Sequence, residues 1–265
     1  MHKPLRIASA VAACAVTGTV LYGTGAATAG ESTANSTHEP YNIGQLSKDI
    51  DTYYGTTLDA DGVYQASPDS PYADDLARAD AAAKKQIDRA ARTAHHRHTR
   101  PAIVFDIDDT LLLSLDYEKK NNYGYDGDTW ADYVDRADRP AVPGSPDLVR
   151  YAEKKGVEVF YNSGLSDAQR AAAVENLKKV GADVNLDTDH VFLKDKANPP
   201  SYLSHCATPG TWDCTTVEYK AGTRRHIERD LGYDVVANVG DQYSDLQGGW
   251  ADRTYKLPNP TYFVE

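Results

Sequence analysis

The run Pro101–Leu113, PAIVFDIDDTLLL, places more potential chemistry in one place than any other stretch of the chain. Asp106, Asp108 and Asp109 fall directly after Ala102-Ile103-Val104-Phe105, an apolar segment with the length and β-branched content of a buried strand. Carboxylates there repel one another and lose hydration unless a cation or a reaction uses them. In open α/β sheets, ligands gather at the carboxyl ends of strands, where Asp106 and Asp108 would emerge. Two aspartates one residue apart can share a divalent metal, which relieves their repulsion. One Asp106 oxygen is then free to attack an electrophile such as phosphorus. A strand that simply ends in an acidic turn is the competing interpretation.

Aiming these groups requires further elements, and the chain supplies them in alternation. Asp147 to Lys155 reads as a helix stopped by Gly156, and Val157 to Tyr161 as a second buried strand ending in Asn162-Ser163-Gly164. Asp167 to Val180 is its helix, and His190 to Leu193 a third strand ending near Lys194. Lys220 to Leu231 reads as a helix, and Val235 to Val239 as a fourth strand running into Gly240-Asp241-Gln242-Tyr243-Ser244-Asp245. Such alternation predicts an α/β fold with a parallel sheet and helices on both faces. The ends of the first, second and fourth strands then open on one edge and collect Asp106, Asp108, Ser163, Asp241 and Asp245. Ser163, with nearby backbone N–H groups, suits a phosphate oxygen. Asp241 is placed as a metal ligand, and Asp245 could hold a ligating water or orient Asp241 or a lysine. Taken singly, Ser163 also fits a plain strand-to-helix turn, and the two aspartates fit helix caps.

FDIDDT, NSG, a lysine and GDQYSD, in that order, resemble the four motifs of the haloacid dehalogenase (HAD) superfamily. More narrowly, YKAGTRRHIERDLGYDVVANVGDQYSDLQGG is similar to its subfamily IIIB acid phosphatases, a group of bacterial secreted phosphatases and plant storage proteins. The resemblance implies a Rossmann-like core, Mg²⁺ dependence and hydrolysis of small phosphomonoesters through an aspartyl-phosphate. Asp106 would be the nucleophile and Asp108 the general acid and then base, with Ser163 and Lys220 completing the catalytic set. Mg²⁺ would bind Asp106, the Asp108 backbone carbonyl and Asp241, with Asp245 in the metal site, while Ser163 and Gly164 would bind substrate. Two aspartates favour a phosphatase over a dehalogenase. Lys194 also follows a strand and competes with Lys220, whose sequence context matches the family better. Asp109 stands where the subfamily often has Glu, and NSG replaces a threonine-containing form. A phosphotransferase acting on alcohol or nucleoside acceptors, and a non-catalytic storage or binding protein of the same fold, are the alternative functions.

The remaining chain divides into four parts. Residues 1–29 resemble a signal peptide, with Lys3 and Arg6, an apolar or small stretch from Ile7 to Tyr22, and Ala27-Thr28-Ala29 at the cleavage site. A membrane anchor or a lipoprotein box ending at Cys14 fits less well. Residues 30–41 read as a flexible linker. Residues 42–98 read as a helical extension, with helices over Asn42–Tyr54 and about Tyr72–His96, the second capped by Ser70. Residues 99–265 form the phosphatase-like core. Asp116 to Pro140 is a small insertion after the first motif, whose Tyr117, Tyr123, Tyr125 and Trp130 could stack on an aromatic leaving group or pack the insertion onto its own domain. Tyr117 and Trp130 are the substrate-contact candidates. Export leaves Cys206 and Cys214 in an oxidising compartment, where a disulfide is expected, with a metal site beside His205 as the weaker idea. The formal net charge is −11, and a leader with two bases and no acid takes it to −13 on removal. That balance argues against nucleic acid as a partner, and no stable membrane insertion is expected once the leader is cut.

Overall fold

The computed structural model describes residues 40–265; the expected signal peptide and most of the linker lie outside the described residues. Helix α1 (Ile43–Tyr54) starts at Asn42, whose side chain accepts the Gln45 N–H, and stops where Gly55 adopts left-handed backbone. A small hairpin follows, β1 (Thr57–Leu58) and β2 (Tyr64–Gln65). Helix α2 (Pro71–Arg97) is capped by Ser70 with Pro71 in its first turn, and His98 closes it in left-handed backbone. Its apolar stripe, including Leu76, Ala83 and Ile87, cannot be buried by the helix alone. It packs in one cluster with Ile103 and Phe105 of the central sheet. The helical extension therefore shares the core of the rest of the chain, and Asn42–Glu265 is one compact unit.

Strand β3 (Pro101–Phe105) is buried along its whole length. The insertion after it folds as α3 (Leu115–Lys120) and α4 (Gly127–Asp135). Then come α5 (Ser145–Lys154), β4 (Glu158–Ser166), α6 (Arg170–Lys179) and β5 (Val191–Lys194). A second hairpin, β6 (Ala207–Thr208) and β7 (Thr211–Trp212), is closed by a Cys206–Cys214 disulfide. The chain ends through α7 (Thr216–Arg229), β8 (Asp234–Gly240), α8 (Tyr243–Leu246) and β9 (Thr254–Lys256). The central sheet has the order β5-β4-β3-β8-β9, and every neighbouring pair is parallel. Alternation along β3 sends Ile103 and Phe105 to the face covered by α2, α5 and α6, and Ala102 and Val104 to the face covered by Ile227 of α7. A strand buried on both faces reads as a continuous apolar run, which is why PAIVF carries no polar alternation. Among the described residues, no helix is long and apolar enough to cross a membrane.

Besides the two short hairpins, three elements differ from the sequence expectation. Strand β4 continues through Asn162-Ser163-Gly164, because Ser166 still pairs with Lys194 after a register shift. Helix α7 starts before Lys220, because Thr215 and Glu218 form a reciprocal capping box, so Lys220 sits inside the helix rather than at its entry. Strand β9 is too short to leave a periodic signal, yet it extends the sheet beyond β8 and leads the C-terminal segment back over the strand ends.

Candidate active site

Asp106 emerges from the central strand with its N–H donated to the Val239 carbonyl at 2.9 Å, so β8 fixes its position. Asp109 holds left-handed backbone, φ 52°, a conformation Asp tolerates better than most residues. Its buried carboxylate accepts the Ser114 N–H at 2.9 Å and the Ser114 hydroxyl, which folds the chain back into α3. The third acid of the motif is thus spent on the turn.

Asp106, Asp241 and Asp245 are buried, and each offers a carboxylate oxygen within 4.8 Å of the others. Burial, then Asp245, holds Asp106 well above the usual carboxylate range. Burial, then Asp245 and Asp109, pushes Asp241 up to about 7. Asp241 is oriented by the Gln242 side-chain amide at 2.7 Å, Asn259 at 2.8 Å and the Thr110 hydroxyl at 3.3 Å. Lys220 lies between two of the acids, with Nζ 2.5 Å from Asp106 Oδ1 and 2.9 Å from Asp245 Oδ1, and also donates to the Asn162 carbonyl. Burial alone would lower the Lys220 ammonium, but Asp106 and Asp245 outweigh it and hold the group charged. One ammonium against three buried carboxyls leaves an excess of negative charge built from hard oxygen donors. This donor set fits a divalent cation such as Mg²⁺.

The Asp108 side chain stands apart from that trio. Arg139 Nη1 is 2.5 Å from its Oδ1, and the Ser163 hydroxyl donates to its Oδ2 at 3.1 Å. Arg139 is fully buried, and Asn176 clasps its backbone, accepting its N–H at 3.0 Å and donating to its carbonyl at 2.8 Å. The nucleophile candidate and the acid candidate are therefore controlled by different cations.

A cavity of about 460 Å³ opens over these groups, lined at its floor by Asp106, Asp108, Gly164, Lys194, Lys220, Asp241 and Asp245. Its wall carries Glu118, Tyr123, Tyr125 and Trp130 from the insertion and Tyr262, Phe263 and Val264 from the C-terminal segment. Ser163 is buried behind the floor, its hydroxyl engaged with Asp108 and accepting the Leu165 N–H at 3.1 Å. Lys194 makes no ion pair among the described residues; burial, then the nearby Lys220, lowers its pKa.

Tyr117 does not line the cavity, which corrects its expected substrate contact. Its hydroxyl accepts the Asp126 N–H at 3.1 Å and lies 3.1 Å from Thr129 Oγ1, and its ring meets Trp130 edge-on at 5.0 Å. These contacts bind the insertion together behind Trp130, which does line the cavity. Arg139, Glu118, Asn259 and the C-terminal wall were not read from the sequence. The partners of Arg139 and Asn259 are distant in the chain, and none of these residues sits in a repeating or motif-like spacing. The competing metal site at His205 does not form, since Cys206 and Cys214 are bonded to each other.

Fold and site together define an α/β protein with a cluster of buried aspartates at the carboxyl ends of parallel strands. The chain belongs to the HAD superfamily, subfamily IIIB (Acid phosphatase), whose family model matches residues 70–265. It is 32% identical over 173 residues to a stem 28 kDa glycoprotein of Glycine max, a match covering 63% of this chain and 62% of that protein. Acid phosphatase 1 of Solanum lycopersicum is 32% identical over 169 residues, with 62% of this chain and 60% of that protein covered. The chain thus spans less than two thirds of the length of these curated relatives. The class C acid phosphatase from Bacillus anthracis has the same fold, with a TM-score of 0.58, 24% identity and coverage of 83% of this chain and 86% of that one.

Proposed function

We propose that this protein is a secreted, Mg²⁺-dependent acid phosphatase that hydrolyses small phosphomonoesters through an aspartyl-phosphate on Asp106. The observation that carries this reading is the pairing of a buried Asp106, held by Lys220 beside two further acids, with a separately held Asp108 two residues on. Asp106 attacks phosphorus as the ester O–P bond breaks, and Asp108 gives its proton to the departing alkoxide oxygen. In the second half Asp108 takes a proton from water, whose oxygen attacks the same phosphorus, releasing inorganic phosphate and regenerating the Asp106 carboxylate. Lys220 fixes the Asp106 oxygen and offsets its charge, Ser163 holds the Asp108 carboxyl from behind the cavity floor, and Gly164 and Lys194 are assigned to the phosphoryl oxygens. Asp106, the Asp108 carbonyl, Asp241 and Asp245 would hold Mg²⁺, which when bound neutralises charge on the phosphoryl group. The Cys206–Cys214 disulfide supports an extracellular setting.

The test is p-nitrophenyl phosphate hydrolysis with Mg²⁺ and with EDTA, alongside Asp106→Asn. Turnover should need the metal and fall by at least about a thousandfold in the variant, as loss of a nucleophile does. Folded, Mg²⁺-loaded wild type that shows no turnover across about pH 4 to 8 would sink the reading.

A further inference from the structure

Helix α3 carries a carboxyl that nothing in the fold answers. Glu118 is 6% exposed and lines the cavity above Asp106. Among the described residues its side chain accepts no hydrogen bond and forms no ion pair. Burial, then the nearby Asp109, pushes it up to about 7. Beside it, the Tyr123 N–H donates to the Glu118 carbonyl at 2.7 Å, and the Tyr123 hydroxyl is also buried without a partner. Two neighbouring residues of one cavity wall that each carry an unpartnered polar group among the described residues are costly unless a ligand completes them.

The same wall supplies aromatic faces. Tyr125 is 76% exposed, and its ring lies 6.5 Å from that of Trp130 at an interplanar angle of 47°. Aromatic faces beside a carboxylate are suited to an alkylammonium. The charges lining the cavity favour the same ligand. Of the acids lining the cavity, Asp108 is held by Arg139, and Asp106 and Asp245 by Lys220, which leaves Glu118 and Asp241 against Lys194. A divalent cation and a phosphate dianion entering together cancel, so a neutral leaving group would leave Glu118 unanswered. A cationic one would complete it.

We infer that Glu118, Tyr123, Tyr125 and Trp130 form a subsite for the ammonium group of an amino-alcohol phosphomonoester, such as a phosphocholine or phosphoethanolamine headgroup. The inference names a substrate class for the phosphatase proposed above and rests on that reading for turnover, but the ammonium site is testable by binding alone. Choline and its uncharged carbon isostere, 3,3-dimethylbutan-1-ol, would be titrated calorimetrically into the Mg²⁺-loaded protein with inorganic phosphate at about pH 8, where the Glu118 carboxyl is ionised. Choline should bind at least about tenfold more tightly, and Glu118→Gln should reduce that preference to within about twofold. Equal affinities in wild type, or a preference that survives Glu118→Gln, would overturn the subsite. The wild-type comparison decides the matter even if the variant fails to fold. Hydrolysis of p-nitrophenyl phosphate by the same preparation separates the two readings. Turnover without choline preference removes the subsite alone, whereas choline preference without turnover removes the phosphatase and supports the ammonium site.

Discussion

Arg139 decides where the Asp108 carboxyl points. Its guanidinium is buried, holds Asp108 Oδ1, and lies 5.6 Å from the Trp130 ring, while Nε and Nη2 have no hydrogen-bond partner among the described residues. With the Ser163 hydroxyl on the other oxygen, Asp108 is kept out of the acid trio and available as a proton carrier. The consequence depends on the leaving group. An alkoxide needs a proton as it departs, and p-nitrophenolate does not. Arg139→Met should therefore lower kcat/KM for glycerol phosphate at least about tenfold more than for p-nitrophenyl phosphate, within the range of general acid catalysis. Added guanidinium should restore part of the difference. Equal losses on both substrates would mean that Arg139 only supports the fold. At this scale the sequence disclosed the residues that follow strands in tight motifs: Asp106, Asp108, Asp241 and Asp245. It did not disclose Arg139, 31 positions from Asp108, or the division of labour between Tyr117 and Trp130, because both are outcomes of packing.

Helix α7 is the element that delivers Lys220, and the disulfide hairpin is built against it. Leu203, Ala207 and Tyr219 form a small buried cluster with Trp212, Cys206 and Cys214, one residue before Lys220. The fit is close: a Cβ on Gly222 would come 2.7 Å from Leu203 Cδ2. The bond joins residues 8 positions apart, so closing that loop in the unfolded chain is worth about 2.5 kcal/mol on a chain-entropy estimate. Replacing both cysteines by serine should lower the unfolding free energy by that amount, read as the shift in denaturant midpoint multiplied by m, and dithiothreitol should do the same to wild type. A loss below about 0.5 kcal/mol would show that packing of α7 alone holds the hairpin. Central strands and long helices were legible because burial on two faces writes apolar runs and caps write their ends. The start of α7 was missed because Thr215 and Glu218 act as a reciprocal pair just before the apolar signal. The hairpins and β9 were missed because two or three residues carry no period, and their pairing is decided by the sheet they join.

Across the whole molecule, the site is assembled at the expense of stability, and pH exposes that cost. Burial and neighbouring acids push Asp241 and Glu118 up to about 7, and burial above all pushes Asp80 up to about 6. A carboxyl raised in the folded state binds its proton more tightly there than in the unfolded chain. Between the ordinary carboxylate range and about 7 the folded protein therefore holds more protons, and stability falls as pH rises through that window. Acids lowered by hydrogen bonds, such as Asp59, Asp126 and Asp187, have the opposite sign. They are near the surface and lose their contribution only as pH falls below the usual carboxylate range, outside this window. Discounting for coupling among neighbours, the three raised groups amount to about 2–4 kcal/mol. Metal-free protein should thus melt about 5–10 °C lower at pH 7.5 than at pH 5, given the usual shift per kcal/mol for a domain of this size. Mg²⁺ should narrow the gap, because it binds the ionised trio and competes with the proton on Asp241. Scanning calorimetry at both pH values, with and without about 10 mM Mg²⁺, reads this directly. A metal-free melting temperature that rises between pH 5 and 7.5 would mean that Asp241, Glu118 and Asp80 are not held protonated in the folded protein.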